Sequence, residues 1–225
     1  MEELTHLMYN MVEAGAYLQE NGQSHGDIRP SQILFTKNGT FKLGDRLHDP
    51  SPSPTNQFNN IVAGRDLYMS PILFNALKQH KFNVSHNAFK SDVFSLGMTI
   101  LEAGLMKPLT GVYPDNNKSI EINEHDLQDN IDEFSQKYQD NPLLVTTVSK
   151  MLEVKENNRP DFINIKGAIP SYSEILEYFE RADEDGYEDE HDFTDPNGVN
   201  DNYDQYNQGF GNQYDQRQPN NFAKG

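Results

Sequence analysis

The first twenty residues carry apolar side chains at three- and four-residue intervals, which is the spacing of one face of an α-helix. These positions are Leu4, Leu7, Met8, Met11, Val12, Ala14, Tyr17 and Leu18. Asn21 and Gly22 follow directly and are typical of a helix end. The pattern predicts one amphipathic helix that ends near these two residues.

Later segments predict a mostly helical lobe with one small β-hairpin. Residues 32–35 and 41–43 read as two strands joined through Lys37-Asn38-Gly39, because Asn-Gly is a strong tight-turn signal. Residues 92–102 are apolar on nearly all sides and predict a buried central helix. We expect further helices at 124–138, 142–152 and 171–182, and a short extended connector at 120–122.

Five short motifs follow one another along the chain in a fixed order. They are HGDIRPSQIL at residues 25–34, FKLGDRL at 41–47, GRDLYMSPI at 64–72, SDVFSLGMTILE at 91–102 and MLEVKENNRP at 151–160. In this order they resemble the large lobe of a protein kinase: the catalytic loop, the Asp-Phe-Gly turn, the end of the activation segment, the central helix and the Arg-Pro signature. The resemblance covers residues 1 to about 180 and is closer to the Ser/Thr branch of the family.

The resemblance assigns chemical roles residue by residue. In the family, the catalytic-loop Asp receives the proton of the substrate hydroxyl, and an Asn five positions later helps to hold magnesium. Asp27 matches the catalytic Asp, Arg29 takes the place of a Lys, and Gln32 takes the place of the Asn. Asp45 matches the magnesium-binding Asp of the Asp-Phe-Gly turn.

Several positions depart from the family pattern in ways that point to impaired chemistry. Gln32 has one methylene more than Asn, and magnesium tolerates displaced ligands poorly because it demands near-ideal octahedral geometry. The other departures are Gly26, Arg46-Leu47, Arg65 and Ile72. In the same order, the family has an Arg that responds to phosphorylation of the activation loop, the Phe-Gly of the Asp-Phe-Gly turn, a Thr that bridges to the catalytic Asp, and the Glu of Ala-Pro-Glu. We expect Arg46 to point at solvent, at Asp45 or at an anionic surface.

Other landmarks that the chain retains are expected to serve the fold. They are His25, Pro71, Asp92 and Arg159. Carboxylates among such residues can tie loop amides in place. Because Ile72 replaces the family Glu, Arg159 is expected to lose its usual buried partner.

The helix before the catalytic loop begins almost at the first residue, which leaves no room for the small lobe of a kinase. The Gly-rich loop, the Val-Ala-Ile-Lys lysine and its helical Glu partner are not found. Two explanations stay open: a natural loss, or a fragment that starts at an internal Met.

Composition divides the 225 residues into a lobe at 1–181 and an acidic tail at 182–225. The net charge is −17, of which the tail holds −9, with eleven Asp and Glu against two basic residues. The tail is rich in Asn, Gln and Tyr and is predicted to be disordered, since it cannot bury enough apolar surface. The net charge of −17 argues against nucleic-acid binding.

No apolar run is long enough to span a membrane and there is no signal-peptide pattern, so an intracellular, cytoplasmic protein is expected. Cysteine is absent, which excludes disulfides and thiol catalysis. The Ser-Pro pairs at Ser51 and Ser53 are candidate phosphorylation sites, with a stiffened exposed loop as the alternative.

The combined interpretation is a pseudokinase: a catalytically impaired lobe that acts as an interaction or scaffold module in a larger assembly. Protein partners are expected at the exposed roof of the lobe and at the acidic tail, with no membrane or nucleic acid. A cytoskeletal or ciliary association is a guess from the acidic, Asn-rich character. No metal site and no resident cofactor are expected. The alternatives are the C-terminal part of an ATP-dependent Ser/Thr kinase, or a sensor that binds ATP and magnesium without transfer.

Overall fold

The computed structural model describes residues 2–44, 67–81, 83–114, 119–171 and 173–174. The chain divides into two compact units, Met1–Glu180 and Arg181–Gly225, and all described residues belong to the first. The predictions for Asp45, Arg46, Ser51, Ser53, the acidic tail and most of the helix at 171–182 fall outside the described residues.

Six α-helices and one antiparallel hairpin make up the described part of the chain. They are α1 (Glu2–Glu20), β1 (Ile33–Phe35), β2 (Phe41–Leu43), α2 (Pro71–Lys78), α3 (Ala88–Leu105), α4 (Glu124–Lys137), α5 (Pro142–Met151) and α6 (Phe162–Ala168). A short 3-10 helix, Pro30–Gln32, precedes β1. The predicted fold class, a mainly helical kinase-like large lobe with a small hairpin, is confirmed.

Helix α3 is the centre of the hydrophobic core. Twelve of its residues are buried, as the apolar character of residues 92–102 predicted, although the helix is longer than predicted at both ends. It begins after Asn87, whose side chain accepts a hydrogen bond from the Lys90 amide at 3.1 Å. Gly97 allows α5 to approach closely, because a Cβ at this position would lie 2.9 Å from Met151. The core thus forms where α1, α4, α5 and α6 pack around α3.

The longer helices lie where the periodic patterns predicted them. Helix α1 ends at Glu20, and Gly22 follows in the left-handed region with φ +69°. Helices α4 and α5 match their predicted bounds to within one residue. None of the described helices combines the length and apolar character needed to cross a membrane.

Two short helices were not predicted, although local signals were present. Pro71 is the first helical residue of α2, the position that proline favours. Asp161 and Asn164 form a reciprocal capping box at the start of α6. With eight and seven residues, these helices are too short to show a clear apolar period.

The hairpin has the predicted partners with one correction. Its register pairs Ile33 with Leu43 and Phe35 with Phe41. Gln32, predicted to open the first strand, instead ends the 3-10 helix, because its amide donates to the Arg29 carbonyl oxygen at 2.9 Å. The side chain of Asn10 accepts from the Phe41 amide at 2.9 Å and ties the hairpin to α1.

Candidate active site

The loop between α1 and β1 brings together the residues that match the catalytic loop. His25 is buried at 6% exposure, and its Nδ1 accepts from the Asp27 amide at 3.3 Å. Nδ1 therefore lacks the proton, so Nε2 carries it and donates to the Gly44 carbonyl oxygen at 2.9 Å. The imidazole holds the catalytic loop against the end of β2, directly before Asp45.

Asp92 fixes the same loop from the central helix. Its Oδ2 accepts from the His25 amide at 2.6 Å and its Oδ1 from the Gly26 amide at 2.8 Å. The carboxylate is buried at 4% exposure, where hydrogen bonds to an ionised acceptor are strong. Gly26 lies in the left-handed region with φ +75°, which a glycine adopts without the steric cost that a side chain brings. Asp92 therefore holds two amides of a loop that turns sharply at Gly26.

The half-exposed carboxylate of Asp27 lies between a cation and an amide. Arg29 Nε is 3.1 Å from Asp27 Oδ1, but the direction of its N–H does not complete a hydrogen bond. The attraction is therefore mainly coulombic, and with side-chain exposures of 29% and 41% solvent weakens it. Gln32 Nε2 lies 3.5 Å from Asp27 Oδ2, the long limit of a hydrogen bond.

Gln32 also lies against the residue before Asp45. Its backbone oxygen accepts from the Gly44 amide at 2.7 Å. A Cβ added to Gly44 would lie 3.1 Å from that oxygen and 3.6 Å from the side-chain oxygen of Gln32. The site thus unites His25, Asp27, Arg29 and Gln32 of the catalytic-loop motif, whereas Asp45 is not described.

Arg159 is buried at 1% exposure without any carboxylate partner among the described residues. Its guanidinium donates instead to three carbonyl oxygens, those of Glu153 at 2.8 Å, Lys90 at 3.0 Å and Val154 at 3.0 Å. The group also lies 4.7 Å from the centre of the Phe94 ring. Burial lowers the pKa of Arg159 to about 10.

The expectation that Arg159 would lose its buried partner is therefore only half right. Among the residues that the structure describes no carboxylate pairs with Arg159, but backbone carbonyls accept hydrogen bonds from its guanidinium. Ile72, in place of the family Glu, lies half-buried on α2. The sequence holds no signal for these acceptors, because any residue can offer a carbonyl.

The end of the activation segment is anchored by contacts that the motifs did not indicate. Tyr68 donates to Glu102 Oε2 of α3 at 2.6 Å, and Tyr113 donates to the Met69 carbonyl oxygen at 2.7 Å. Burial raises the pKa of Tyr113 well above its usual value. Pro71 follows this anchored stretch and starts α2. It does not belong to the group of residues around Asp27.

A group of three possible metal ligands lies on the surface of α4, within the part of the chain that the structure describes. It consists of His125, Asp126 and Asp129, and His125 Nδ1 is 3.0 Å from Asp129 Oδ2. None of these residues belongs to the candidate active site.

The kinase motifs lie within a stretch of sequence that matches a known family. The family model described as "Protein kinase domain" matches residues 1–168. The chain belongs to the protein kinase family. Members use ATP and magnesium for phosphoryl transfer.

Known relatives of this kinase-family chain include enzymes from several eukaryotes. A probable serine/threonine-protein kinase of Dictyostelium discoideum is 25% identical over 182 residues, which are 75% of this chain and 33% of the relative. The membrane-associated tyrosine- and threonine-specific cdc2-inhibitory kinase wee-1.3 of Caenorhabditis briggsae is 33% identical over 106 residues, 45% of this chain and 14% of the relative. The serine/threonine-protein kinase ppk11 of Schizosaccharomyces pombe is 30% identical over 112 residues, 49% of this chain and 33% of the relative. The chain spans a third or less of the length of these proteins.

Proposed function

We propose that this kinase-family chain is catalytically impaired and acts as an interaction or scaffold module within a larger assembly. The observation that carries the proposal is the burial of Gln32 and the direction of its side chain. Gln32 occupies the position of the magnesium-binding Asn of the family. Its side chain is buried at 9% exposure, and its amide nitrogen is directed at Asp27 from 3.5 Å. A longer side chain packed in this way is a poor fit to the strict octahedral geometry of magnesium.

The retained kinase landmarks also have structural roles that would preserve them without catalysis. His25 and Asp92 hold the loop by hydrogen bonds to the Gly44 carbonyl oxygen and to two loop amides. Arg159 joins the start of α3 to the segment after α5. Retention of these residues therefore supports a conserved fold as readily as a conserved reaction.

The hairpin supports a role in protein binding. Leu34 and Phe35 on β1 are 57% and 65% exposed, and neighbouring apolar side chains with this exposure favour burial against another surface. We propose that protein partners contact this roof of the lobe and the acidic residues 182–225. The net charge of −17 disfavours nucleic acid, and an intracellular, cytoplasmic location with cytoskeletal or ciliary association belongs to the same proposal.

Nucleotide binding and phosphate transfer test the proposal on the full chain. A ligand at 100 times its dissociation constant stabilises a protein by about 2.7 kcal/mol, so ATP with magnesium would raise the melting temperature measurably if it bound. We expect no shift in melting temperature at millimolar ATP with magnesium, and no transfer of phosphate to a generic protein substrate. Gln32→Asn restores the family side chain, and Asp27→Asn removes the candidate base. Transfer by the unmodified chain that disappears in Asp27→Asn would overturn the proposal.

The second candidate is the C-terminal part of an ATP-dependent protein Ser/Thr kinase. The pairing of Asp27 with a cation favours it, since Arg29 lies 3.1 Å from the carboxylate, where a positive charge can stabilise a transferred phosphoryl group. This candidate requires a small lobe with a Gly-rich loop and a lysine strand. The coding sequence upstream of Met1 would reveal such elements. A third candidate, nucleotide sensing without transfer, predicts a thermal shift that persists in Asp27→Asn.

A further inference from the structure

A groove of about 470 Å³ lies between α4 and the C-terminal end of α5. One wall is a continuous stripe of α4, with Glu124, Gln128, Ile131 and Asp132 at helical spacing. The segment after α5, including Glu153, forms the other wall. The groove lies outside the candidate active site and shares no residue with it.

The floor of the groove is apolar. Leu127 and Leu152 are each 2% exposed, and Ile131 and Val154 are half-buried beside them. An aliphatic side chain that entered the groove would remove the remaining exposed surface of these residues from water. The floor therefore distinguishes this place from the other acidic patches on α4.

The walls carry carboxylates without a cationic partner. Glu124, Asp132 and Glu153 are exposed, and no cation among the described residues lies within ion-pair distance of them. Asp132 accepts a hydrogen bond from Gln128 at 2.8 Å. Lys155 is the one basic residue that the described lining contains. Three acids against one base leave the groove negative around an apolar floor.

Several other exposed acids of the lobe have a basic partner within the fold. Glu133 pairs with Lys107, Asp129 lies 3.0 Å from His125, and Glu13 lies 2.8 Å from Lys166. Three acids without an ion pair, Glu124, Asp132 and Glu153, surround this one concave surface with apolar residues beneath it. This arrangement is complementary to a positively charged ligand with an aliphatic centre.

We propose that this groove docks a short basic segment of a partner protein, with an aliphatic side chain between two Arg or Lys residues. Glu124 and Asp132 are eight residues apart on α4, a rise of about 12 Å. An extended segment spans about 13 Å in four residues, so the pattern Arg-x-Leu-x-Arg matches this separation. A second copy of the chain, with net charge −17, and residues 182–225, with net charge −9, have the wrong sign for this role. The inference is independent of whether the lobe transfers phosphate.

Fluorescence anisotropy with a labelled nine-residue peptide tests the docking on the full chain at low ionic strength. The probe carries Arg at its third and seventh positions, Leu at its fifth, and Gly or Ser elsewhere. We expect Glu124→Gln/Asp132→Asn/Glu153→Gln to weaken binding about tenfold. The matched control, Glu20→Gln/Asp129→Asn/Asp140→Asn, removes the same charge from exposed positions outside the groove and should change affinity less than about twofold.

Two further measurements separate docking from diffuse attraction. Gln128→Lys leaves every acid in place but puts a cation into the groove, and it should also weaken binding about tenfold. A peptide with Ser in place of Leu should bind several-fold more weakly, because the floor then gains no apolar contact. Equal losses in the groove triple and the control triple, or equal affinity of the Leu and Ser peptides, would overturn the proposal. Asp27→Asn should leave peptide affinity unchanged, which separates this test from that of the proposed function.

Discussion

Replacement of Arg159 by Met tests how a buried cation without a carboxylate is held. The substitution keeps most of the side-chain volume and removes the guanidinium. Three carbonyl oxygens, of Glu153, Lys90 and Val154, then lose a donor, and Phe94 loses the cation above its ring. We expect the full chain to lose about 1 kcal/mol of unfolding free energy, as the difference of two opposing terms.

The destabilising term comes from the orphaned acceptors. A buried acceptor without a partner costs about 1 to 3 kcal/mol, and the cation over a ring contributes about 1 kcal/mol. Since Glu153 is an exposed residue, water can reach part of this cluster. The low end for each acceptor therefore applies, and the sum is about 4 kcal/mol.

The opposing term is the cost of burying the charge. Burial lowers the pKa of Arg159 from 12.5 to about 10, and one pKa unit corresponds to about 1.4 kcal/mol, so burial costs on the order of 3 kcal/mol. This cost disappears with the guanidinium and leaves the net loss near about 1 kcal/mol. Arg159→Ala adds a cavity and should lose about 2 kcal/mol more.

Urea unfolding at neutral pH, followed by circular dichroism, measures the change. With a denaturant slope of about 2 kcal/mol per M, the Met variant should unfold at a urea concentration about 0.5 M lower. Lys155→Met, at an exposed position nearby, is the control and should change stability by less than about 0.5 kcal/mol. A Met variant as stable as the unmodified chain would refute the reasoning, because the three hydrogen bonds would then not outweigh desolvation.

Three further predictions concern the loop, two glycines and a buried phenol. Asp92→Asn should lower the unfolding free energy by about 2 kcal/mol in urea melts, because the loop amides lose an ionised acceptor, whereas Asp129→Asn on the surface should stay within about 0.5 kcal/mol. Gly26→Ala should cost about 1 kcal/mol because φ is +75°, whereas Gly167→Ala in α6 should stabilise by about 0.5 to 1 kcal/mol; equal effects would contradict the role of backbone conformation. Burial raises the pKa of Tyr9 from 10.0 to about 12. Between these pH values the unfolded chain has released a proton that the native chain keeps, so the free energy of unfolding falls as pH rises. Tyr9→Phe should make that fall shallower in alkaline urea titrations, and an unchanged slope would show that Tyr9 titrates normally in the fold.

The elements that could be predicted are those with a long local pattern. Helices α1, α3, α4 and α5 each have ten residues or more, so their apolar positions repeat often enough to define a face. Helices α2 and α6 have at most eight residues, and only their capping residues marked them. The sequence predicts a strand that begins at Gln32. Alternation of apolar and polar side chains cannot distinguish the first residue of a strand from the last residue of a 3-10 turn that leads into extended backbone.

The motifs predicted which residues meet around Asp27, but not the bonds that hold them. The family resemblance implied that Asp92 serves the fold, and a carboxylate in that role can tie loop amides in place. The use of both its oxygens, on the His25 and Gly26 amides, required the tertiary structure. The partners are more than sixty positions apart along the chain, a separation that no local pattern encodes.

The sequence by itself determined the family, the order of the main helices and the departures from the kinase pattern, because motifs and periodicity are properties of neighbouring residues. Only the tertiary structure decided how buried polar groups are satisfied. Arg159 is the clearest case: its sequence indicated a lost carboxylate, whereas the fold supplies three carbonyl oxygens from two segments. The physical reason is that burial removes water from a polar group, so its partner must be whichever atom the packing of distant segments brings within reach.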